Sequence, residues 1–342
     1  MSHPPTNPNA LSSPQAHGHI VDFGIQDVFR LRVHPCAEEA VARHRHWARG
    51  IGLISDVPTA DAYPANRYEL IGPDYLSAMC FRETAVDDLV LSMDWMGWTM
   101  VYDDRFDGPA NRDPATATRT MTRMLSVLHH GLDGVPPPHH PTETAFADIW
   151  ARECEGMSPA WKARAATDQQ SFIAAFVPEI LARRRGHCYG VKGYYAVRRA
   201  TSAMQSVIDL IERVGRFEVP PSAFQSPELL LIRRATADIS ALTNDVNSLA
   251  KEEEQGDVCN LVIVLRTEGG MSRDDAVAEV RRRVDECVHT ITAMEERLPD
   301  LCTSLGLDRT GRDAVRHYVQ GMKDYTAGFT QWEMRTPRYA GS

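Results

Sequence analysis

The stretch NDVNSLAKE, from Asn244 to Glu252, carries a polar pattern that predicts a metal-binding helix face. Asn244, Ser248 and Glu252 stand at positions i, i+4 and i+8 of this stretch. Because an α-helix turns once in about 3.6 residues, the three side chains would line one face. Their amide, hydroxyl and carboxylate oxygens are hard ligands, which Mg²⁺ takes in preference to nitrogen or sulfur. Considered alone, the same spacing is equally typical of the solvated face of an amphipathic helix.

An acidic stretch upstream, DDRFD from Asp103 to Asp107, offers a second set of oxygens. Asp103 and Asp107 are again about one helical turn apart. Asp-rich turns are common at helix ends, so the cluster alone is weak evidence. It follows the largely apolar run 89–102, however, and its carboxylates are therefore expected at the end of a buried helix. Two such faces on opposite sides of a cavity would hold several Mg²⁺ ions and a diphosphate between them.

The composition is that of an acidic globular protein with a large core. Of the 342 residues, 43% are hydrophobic and 8% are aromatic, and the length alone would allow two domains. The formal net charge is −9, and Lys and Arg form no extended stripe, which argues against a nucleic-acid partner. An acidic protein that binds an anionic substrate needs local cations or metal, in agreement with the two motifs.

The cysteine pattern and the N-terminal segment indicate the cellular compartment of the protein. Seven cysteines are scattered without a CxxC pair, which favours reduced thiols in a cytoplasmic protein over a disulfide framework or a zinc site. The N-terminus lacks the basic start and apolar core of a signal peptide, and its Pro, Asn, Ser and His content predicts a disordered tail over residues 1–25. No apolar run reaches the length of a membrane span, so no stable membrane insertion is expected.

Helical periodicity dominates the chain and predicts one all-α domain over residues 26–342. Prolines separate the helices without dividing the chain into two compositions, and residues 131–142 are predicted to form a loop. The predicted helices cover residues 37–51, 65–71, 84–103, 114–130, 144–157, 159–185, 193–214, 227–254, 257–268, 272–296 and 309–334.

The two motifs, in this order, resemble the metal motifs of the class I terpene synthases. Arg198 stands 244 − 198 = 46 positions before Asn244, where that family places its diphosphate-sensing arginine. Thr201 and Ser202 then match the linker and effector positions that follow the sensor. The pair Arg338-Tyr339 resembles the C-terminal Arg-Tyr pair of the family.

The resemblance covers roughly residues 30 to 340 and is closest to bacterial sesquiterpene cyclases of the pentalenene synthase kind. That closer likeness is carried by FADIWARECEGMSPAW, from Phe146 to Trp161, and by VGRFEVP, from Val214 to Pro220. The resemblance implies a single-domain α-helical bundle of the class I terpenoid synthase type with a central active-site cavity. It also implies Mg²⁺ as the cofactor, with three ions as the expected number.

The resemblance assigns roles to particular residues. The implied metal-binding residues are Asp103, Asp104, Asp107, Asn244, Ser248 and Glu252, with Asp104 and Asp107 in supporting roles. The implied catalytic residues are Arg198, Thr201 and Ser202, and the implied diphosphate donors are Arg198, Lys251, Arg338 and Tyr339. Because aromatic faces stabilise a carbocation without reacting with it, the expected cavity lining is Trp98, Thr99, Tyr102, Phe329 and Trp332.

The implied activity is Mg²⁺-dependent cyclisation of a prenyl diphosphate, with farnesyl diphosphate as the expected substrate. A diterpene cyclase acting on geranylgeranyl diphosphate is an alternative. A chain-elongating prenyltransferase would carry DDxxD-type motifs on both sides, whereas the second motif here is Asn/Ser/Glu. A non-catalytic helical interaction protein and a homodimer are left open. A class II cyclase is disfavoured because no DxDD is present. Thr99 and Met100 stand where the pentalenene-like enzymes usually carry phenylalanine, so the product need not be the same.

Overall fold

The computed structural model describes residues 20–106, 113–188 and 190–339, and the regular structure in these ranges is almost entirely helical. One short parallel pair, β1 (Ile54–Ser55) with β2 (Tyr63–Pro64), is the exception. Single 3₁₀ turns occur at Gly131–Gly134 and Pro337–Tyr339. The prediction of an all-α bundle is confirmed. The helices are α1 Ile25–Val28, α2 Ala37–Gly50, α3 Ala65–Ile71, α4 Pro73–Cys80, α5 Val86–Asp104, α6 Pro114–His130, α7 Pro141–Cys154, α8 Pro159–Ala174, α9 Phe176–Arg185, α10 Gly190–Thr201, α11 Met204–Gly215, α12 Pro221–Phe224, α13 Pro227–Asn247, α14 Leu249–Gln255, α15 Leu261–Thr267, α16 Arg273–Glu295, α17 Leu298–Ser304 and α18 Arg309–Glu333.

Helix α5 is buried along most of its length, because apolar side chains surround it on every face. It packs against α2, α4, α7 and α11. Its last turn carries Asp103 and Asp104, so the acidic motif lies at the end of a central helix, as the apolar run before it predicts. None of the described helices is long and apolar enough to cross a membrane.

Helix α13 brings the second motif to the same region. Ser226 caps its N-terminus, since the Ser226 side chain accepts a hydrogen bond from the backbone N–H of Leu229. The helix packs against α11, α16 and α18 and ends with the first part of the motif. The prediction of one helix over 227–254 is wrong at Ser248, where α13 gives way to α14. The hydroxyl of Ser248 lies 2.6 Å from the carbonyl oxygen of Asn244 and competes there with the backbone ladder.

Two further predicted helices are also broken. The predicted helix 159–185 divides at Ala175 into α8 and α9. The predicted helix 193–214 divides at Ser202 and Ala203 into α10 and α11, because Ala203 adopts a left-handed conformation with φ 57°. A residue with a Cβ atom rarely takes this conformation, and such residues concentrate at functional sites.

Part of the predicted N-terminal tail is packed. Residues 1–19 lie outside the described ranges, whereas residues 20–25 run along the helical body. The backbone N–H of Val21 donates to Asn247 Oδ1 at 3.0 Å, and Ile25 is buried. The short helices α1, α4, α12 and α17 were not predicted, because their few residues give too little periodicity to recognise.

Gly97 allows α5 to pack closely against α3, which predicts a large effect on stability. A Cβ atom at position 97 would lie 1.8 Å from the Tyr68 hydroxyl oxygen, which is hydrogen-bonded to His44 Nε2 at 2.7 Å. His44 in turn contacts Asp94 through Nδ1 at 2.7 Å, so the buried ring cannot move without breaking this network. Although alanine favours a helix, we expect Gly97→Ala to lower the free energy of unfolding by about 2 kcal/mol.

Denaturant unfolding followed by circular dichroism measures this effect. Gly50→Ala in α2 is the matched control, because a Cβ atom there meets no atom within 4 Å. Equal unfolding midpoints for the two variants would contradict the close packing of Gly97 on Tyr68.

Candidate active site

A pocket opens beside the end of α5, between α5, α10, α11, α13, α14 and α18. Its empty volume is about 1040 Å³, including the solvent at its open mouth. Along α5 the lining changes from Trp95 and Met96 to Asp103, and along α13 it changes from Ala241 to Asn244. The pocket therefore has an apolar part and a polar part, and the polar part carries both sequence motifs.

The C-terminal pair Arg338-Tyr339 connects the two motifs. Arg338 donates to Asp103 Oδ2 at 3.1 Å, while the Nδ2 group of Asn244 donates to the hydroxyl of Tyr339 at 2.7 Å. Because these two residues are adjacent in the chain, they bring Asp103 and Asn244 close together in the polar part of the pocket. The fold thus brings together residues that are far apart in sequence.

The oxygens of the second motif lie close together. Ser248 Oγ lies 2.7 Å from Glu252 Oε1, and Asn260, the N-cap of α15, donates to Glu252 Oε2 at 2.9 Å. The guanidinium of Arg198 donates to Asn244 Oδ1. It also pairs with the buried carboxylate of Asp245 at 3.0 Å, which fixes the Arg198 side chain beside the motif.

Carboxylates withdrawn from water make this part of the pocket suited to a cation. Desolvation and the neighbouring carboxylates of Asp257 and Asp245 raise the pKa of Glu252 to about 7. Burial raises the pKa of Glu179 to about 8, with Arg183 opposing the shift and Asp257 adding to it. A divalent cation would relieve the cost of ionising such groups.

The type of donor also fits magnesium better than a transition metal. No group of three or more His, Cys, Asp or Glu side chains within residues 20–106, 113–188 and 190–339 is arranged to hold a metal ion. A metal here would therefore depend on the amide oxygen of Asn244 and the hydroxyl of Ser248 as well as on carboxylates. Such an all-oxygen set is typical of Mg²⁺.

The raised pKa values predict how pH and metal affect stability. A carboxyl group with a higher pKa in the folded than in the unfolded state holds its proton more tightly when folded, so the folded state loses stability as pH rises through that pKa. We expect the thermal unfolding temperature of the chelator-treated protein to decrease as the pH rises from about 5.5 to about 8. Added Mg²⁺ should raise this temperature more at the higher pH. A larger Mg²⁺ effect at the lower pH would argue against carboxylate binding.

Arg198, Thr201 and Ser202 lie together on the pocket wall, with the left-handed Ala203 next to them. The Thr201 hydroxyl lies 3.4 Å from the carbonyl oxygen of Arg198. Helix α10 ends at Thr201, so Arg198 lies only a few residues before the left-handed Ala203.

Asp104 points away from this pocket. It lines a second pocket together with Tyr63, Arg67 and Lys251, and it accepts hydrogen bonds from the Tyr63 hydroxyl and from Arg338, each at 2.6 Å. Although burial opposes the effect, Arg338 and Tyr63 hold the pKa of Asp104 below its ordinary value. Tyr63 was not recognised in the sequence, since nothing in its local pattern relates it to the acidic motif.

The remaining predicted site residues are placed as follows. Lys251 lines both pockets, and Tyr339 and Arg338 line the first. Asp107 lies outside the described residues. Among the residues predicted to line the cavity, Thr99, Phe329 and Trp332 do so.

The prediction of Trp98 and Tyr102 as cavity lining is corrected by the structure. Both are fully buried and are absent from the pocket wall. Trp98 stacks on Phe146 with ring centroids 4.5 Å apart, and Tyr102 packs edge-on against Phe176 at 5.5 Å. These two positions lie on a face of α5 that turns toward α7 and α9.

Trp95 takes the place that Trp98 was expected to fill. Trp95, Thr99 and Asp103 stand at i, i+4 and i+8 on α5 and all line the pocket. Counting back from Asp103 with the helical period would have identified this face from the sequence.

Comparisons with known proteins agree with this site. The family model for terpene synthase family 2, C-terminal metal binding, matches residues 94–290, which is more than half of the chain. Pentalenene synthase of Streptomyces avermitilis is 33% identical over 323 residues, covering 94% of this chain and 93% of that protein. The 7-epi-alpha-eudesmol synthase of Streptomyces viridochromogenes, described as (2E,6E)-farnesyl diphosphate cyclizing, is 30% identical over 317 residues, covering 92% and 91%.

A solved structure gives the same result for the fold. Germacradien-4-ol synthase from Streptomyces citricolor superposes with a TM-score of 0.79 at 32% identity, covering 89% of this chain and 95% of that one. The similarity in sequence and in fold extends over both motifs and the helices that carry them. The chain therefore belongs to the terpene synthase family and is a class I cyclase of the bacterial sesquiterpene type.

Proposed function

We propose that the protein is a Mg²⁺-dependent cyclase that ionises farnesyl diphosphate and closes the fifteen-carbon chain to a sesquiterpene hydrocarbon or alcohol, with release of diphosphate. The observation that carries the proposal is that Arg338-Tyr339 links Asp103 and Asn244 at the polar part of a pocket that also has an apolar part. The farnesyl diphosphate named for the eudesmol synthase supports the chain length. The Asn/Ser/Glu composition of the second motif favours cyclisation over chain elongation.

The ligands that we propose for the metal are Asp103, Asn244, Ser248 and Glu252. Asp104 would support Asp103 through their shared contact with Arg338, and Asp107 is proposed on the resemblance alone. Bound magnesium, three ions by the resemblance, would neutralise the charge that develops on the leaving diphosphate. The protein contributes oxygens at the end of α5 and around the junction of α13 and α14, and those of Asp103 and Asn244 accept hydrogen bonds from Arg338 and Arg198 in the structure.

Two arginines would bind the diphosphate itself. In the structure, Arg198 pairs with Asp245 and Arg338 pairs with Asp103 and Asp104. In the complex, we propose that both guanidinium groups turn to the phosphate oxygens, whose geometry matches their planar fork. The exchange frees the motif oxygens when the substrate arrives, and it brings Thr201 and Ser202 against the ionising end of the substrate. Lys251 and Tyr339 would add further donors.

The apolar part of the pocket would shield the carbocation from water. The faces of Trp95, Phe329 and Trp332 are the proposed stabilising surfaces. The hydroxyls nearby are already bonded, since Thr99 Oγ1 donates to the carbonyl of Trp95 at 2.9 Å and Ser240 Oγ to that of Thr236 at 3.2 Å. By the resemblance, we propose the released diphosphate as the base that ends the reaction. Loss of deprotonation with intact ionisation, after substitution of one acid or base on the pocket wall, would argue against this.

The proposed function is tested by offering substrates of different length. The purified protein is incubated with Mg²⁺ and the ten-, fifteen- or twenty-carbon diphosphate, and extracts are examined by gas chromatography and mass spectrometry. A cyclic product chiefly from the fifteen-carbon substrate is expected. A cyclic product chiefly from the twenty-carbon substrate would identify a diterpene cyclase. Longer prenyl diphosphates formed from farnesyl and isopentenyl diphosphate would identify a chain-elongating enzyme.

The compartment and the oligomeric state are further parts of the proposal. All seven cysteines are free thiols, which supports the cytoplasm as the compartment. A homodimer is proposed from the sequence alone, and the molar mass of the purified protein by analytical ultracentrifugation tests it.

Tyr63 is expected to affect substrate binding through Asp104. Removing its hydroxyl takes one hydrogen-bond donor from the Asp104 carboxylate and should hold Arg338 more firmly on Asp104 and away from the diphosphate. Since a hydrogen bond of this kind is worth about 1 kcal/mol, we expect Tyr63→Phe to raise KM by about fivefold. Tyr75→Phe is the control, because that hydroxyl donates to the exposed Glu38, at 3.4 Å, and not to an acidic-motif residue. An unchanged KM for Tyr63→Phe would contradict the positioning role.

A further inference from the structure

Two buried cysteines that are distant in sequence lie side by side in the fold. The Sγ atoms of Cys188 and Cys259 are 2.8 Å apart, although 71 positions separate the residues in the chain. Cys188 is fully buried and Cys259 is 6% exposed. The residues just before Cys188, 184–187, are exposed, so the pair lies directly beneath the surface.

The pair joins the two parts of the chain that carry the proposed diphosphate contacts. Cys188 lies two residues before α10, whose last turn carries Arg198. Cys259 follows the second motif, and its backbone N–H donates to the carboxylate of Asp257, a residue of the pocket wall, at 3.1 Å. The segment between the two sulfurs therefore contains both the sensor arginine and the Asn/Ser/Glu motif.

We propose that Cys188 and Cys259 form a redox-sensitive pair that hydrogen peroxide oxidises to a disulfide, which fixes the beginning of α10 to the chain after the second motif. The sulfurs need to approach by only about 0.75 Å to reach a bond of about 2.05 Å. The number and spacing of the cysteines in the sequence do not indicate this pair, because it is created by the packing of α10 against α15.

The oxidation proceeds in two balanced steps. One thiol loses its proton and its sulfur attacks a peroxide oxygen, so that the O–O bond breaks and a sulfenic acid and one water are formed. The second sulfur then attacks the sulfenic sulfur, forming the S–S bond and expelling a second water. In total, two thiols lose two electrons and two protons, and hydrogen peroxide is reduced to two waters. The reaction should be slow, because the contact with Cys188 and burial raise the pKa of the Cys259 thiol.

The expected consequence for turnover rests on the proposed function. Arg198 has to leave Asn244 and Asp245 when the diphosphate binds, and a covalent link at the beginning of its helix would restrain that movement. We expect oxidation to lower turnover of farnesyl diphosphate severalfold and a thiol reductant to restore it. The same treatment should leave turnover of Cys188→Ala and Cys259→Ala nearly unchanged.

Peptide mass spectrometry tests the disulfide independently of any activity. The purified full-length protein is treated with hydrogen peroxide, alkylated under denaturing conditions and digested. We expect a linked peptide pair containing Cys188 and Cys259, less two hydrogens, and a fall in free thiols from seven toward five. Cys302→Ala is the matched control, since Cys302 is also buried but lies on α17, and this variant should still form the link.

The outcomes separate the parts of the proposal. Oxidation of other cysteines while Cys188 and Cys259 remain alkylated, or a link from either one to a third cysteine, would overturn the redox pair. A correct link with unchanged turnover would overturn its effect on catalysis. A correct link in a protein that makes no terpene would support the pair and count against the proposed function alone.

Discussion

Glu252→Gln is expected to lower turnover of farnesyl diphosphate by about 100-fold or more. Removal of one preorganised group that stabilises developing charge typically has an effect of about this size. Glutamine keeps the shape of the side chain and can still contact Ser248 and Asn260, but it removes the negative charge that the proposed metal site needs. The concentration of Mg²⁺ required for half-maximal activity should rise as well.

The neighbouring residue gives a matched control for this variant. Glu253 is paired with Arg266 and Arg273 outside the pocket, so Glu253→Gln should turn over at nearly the wild-type rate. Steady-state kinetics with varied Mg²⁺ measure both variants, and circular dichroism checks their folding. Comparable activity of Glu252→Gln and the wild type would exclude Glu252 as a metal ligand.

Arg198→Lys should cause a loss of similar size, about 100-fold in turnover, although the charge is kept. The planar guanidinium reaches Asn244 and Asp245 together, and we propose that the same fork later holds two phosphate oxygens. A lysine ammonium can approach one of these groups but cannot reproduce the fork. The effect should fall mainly on kcat, because the contact is proposed to strengthen as the diphosphate leaves.

Arg199→Lys is the control for Arg198→Lys. Arg199 stands next in the chain and makes a two-pronged contact as well, to both oxygens of Asp238 at 2.7 Å, but it does not line the pocket. We expect this variant to keep most of the wild-type turnover. If both lysine variants lost activity equally, the effect at Arg198 would reflect the packing of α10 and not a diphosphate contact.

The helical fold and the two motifs could be predicted because they depend on local periodicity. Apolar residues all around α5 predict a buried helix, and the spacing from Asn244 to Glu252 predicts one helix face. The breaks at Ala203 and Ser248 could not be predicted in the same way. A left-handed alanine is unfavourable by itself and persists only because tertiary packing holds it.

The site was predictable where residues belong to a motif and unpredictable where only the fold joins them. Asp103 and Asn244 were expected to face each other, and Arg338-Tyr339 connects them. Tyr63, by contrast, reaches Asp104 from a strand 41 positions away, and no local pattern relates the two. The choice of Trp98 over Trp95 was an error of helical phase, since Trp98 stands one residue, or about 100°, away from the row that Trp95, Thr99 and Asp103 form along α5.

The most direct test of the account measures diphosphate release and product together. The wild-type protein is incubated with farnesyl diphosphate, with and without Mg²⁺, and released diphosphate is assayed beside the organic products. The account predicts one diphosphate for each cyclic fifteen-carbon molecule in the presence of Mg²⁺ and neither product after chelation. Equal diphosphate release without a divalent cation, or release with no cyclic product, would contradict it.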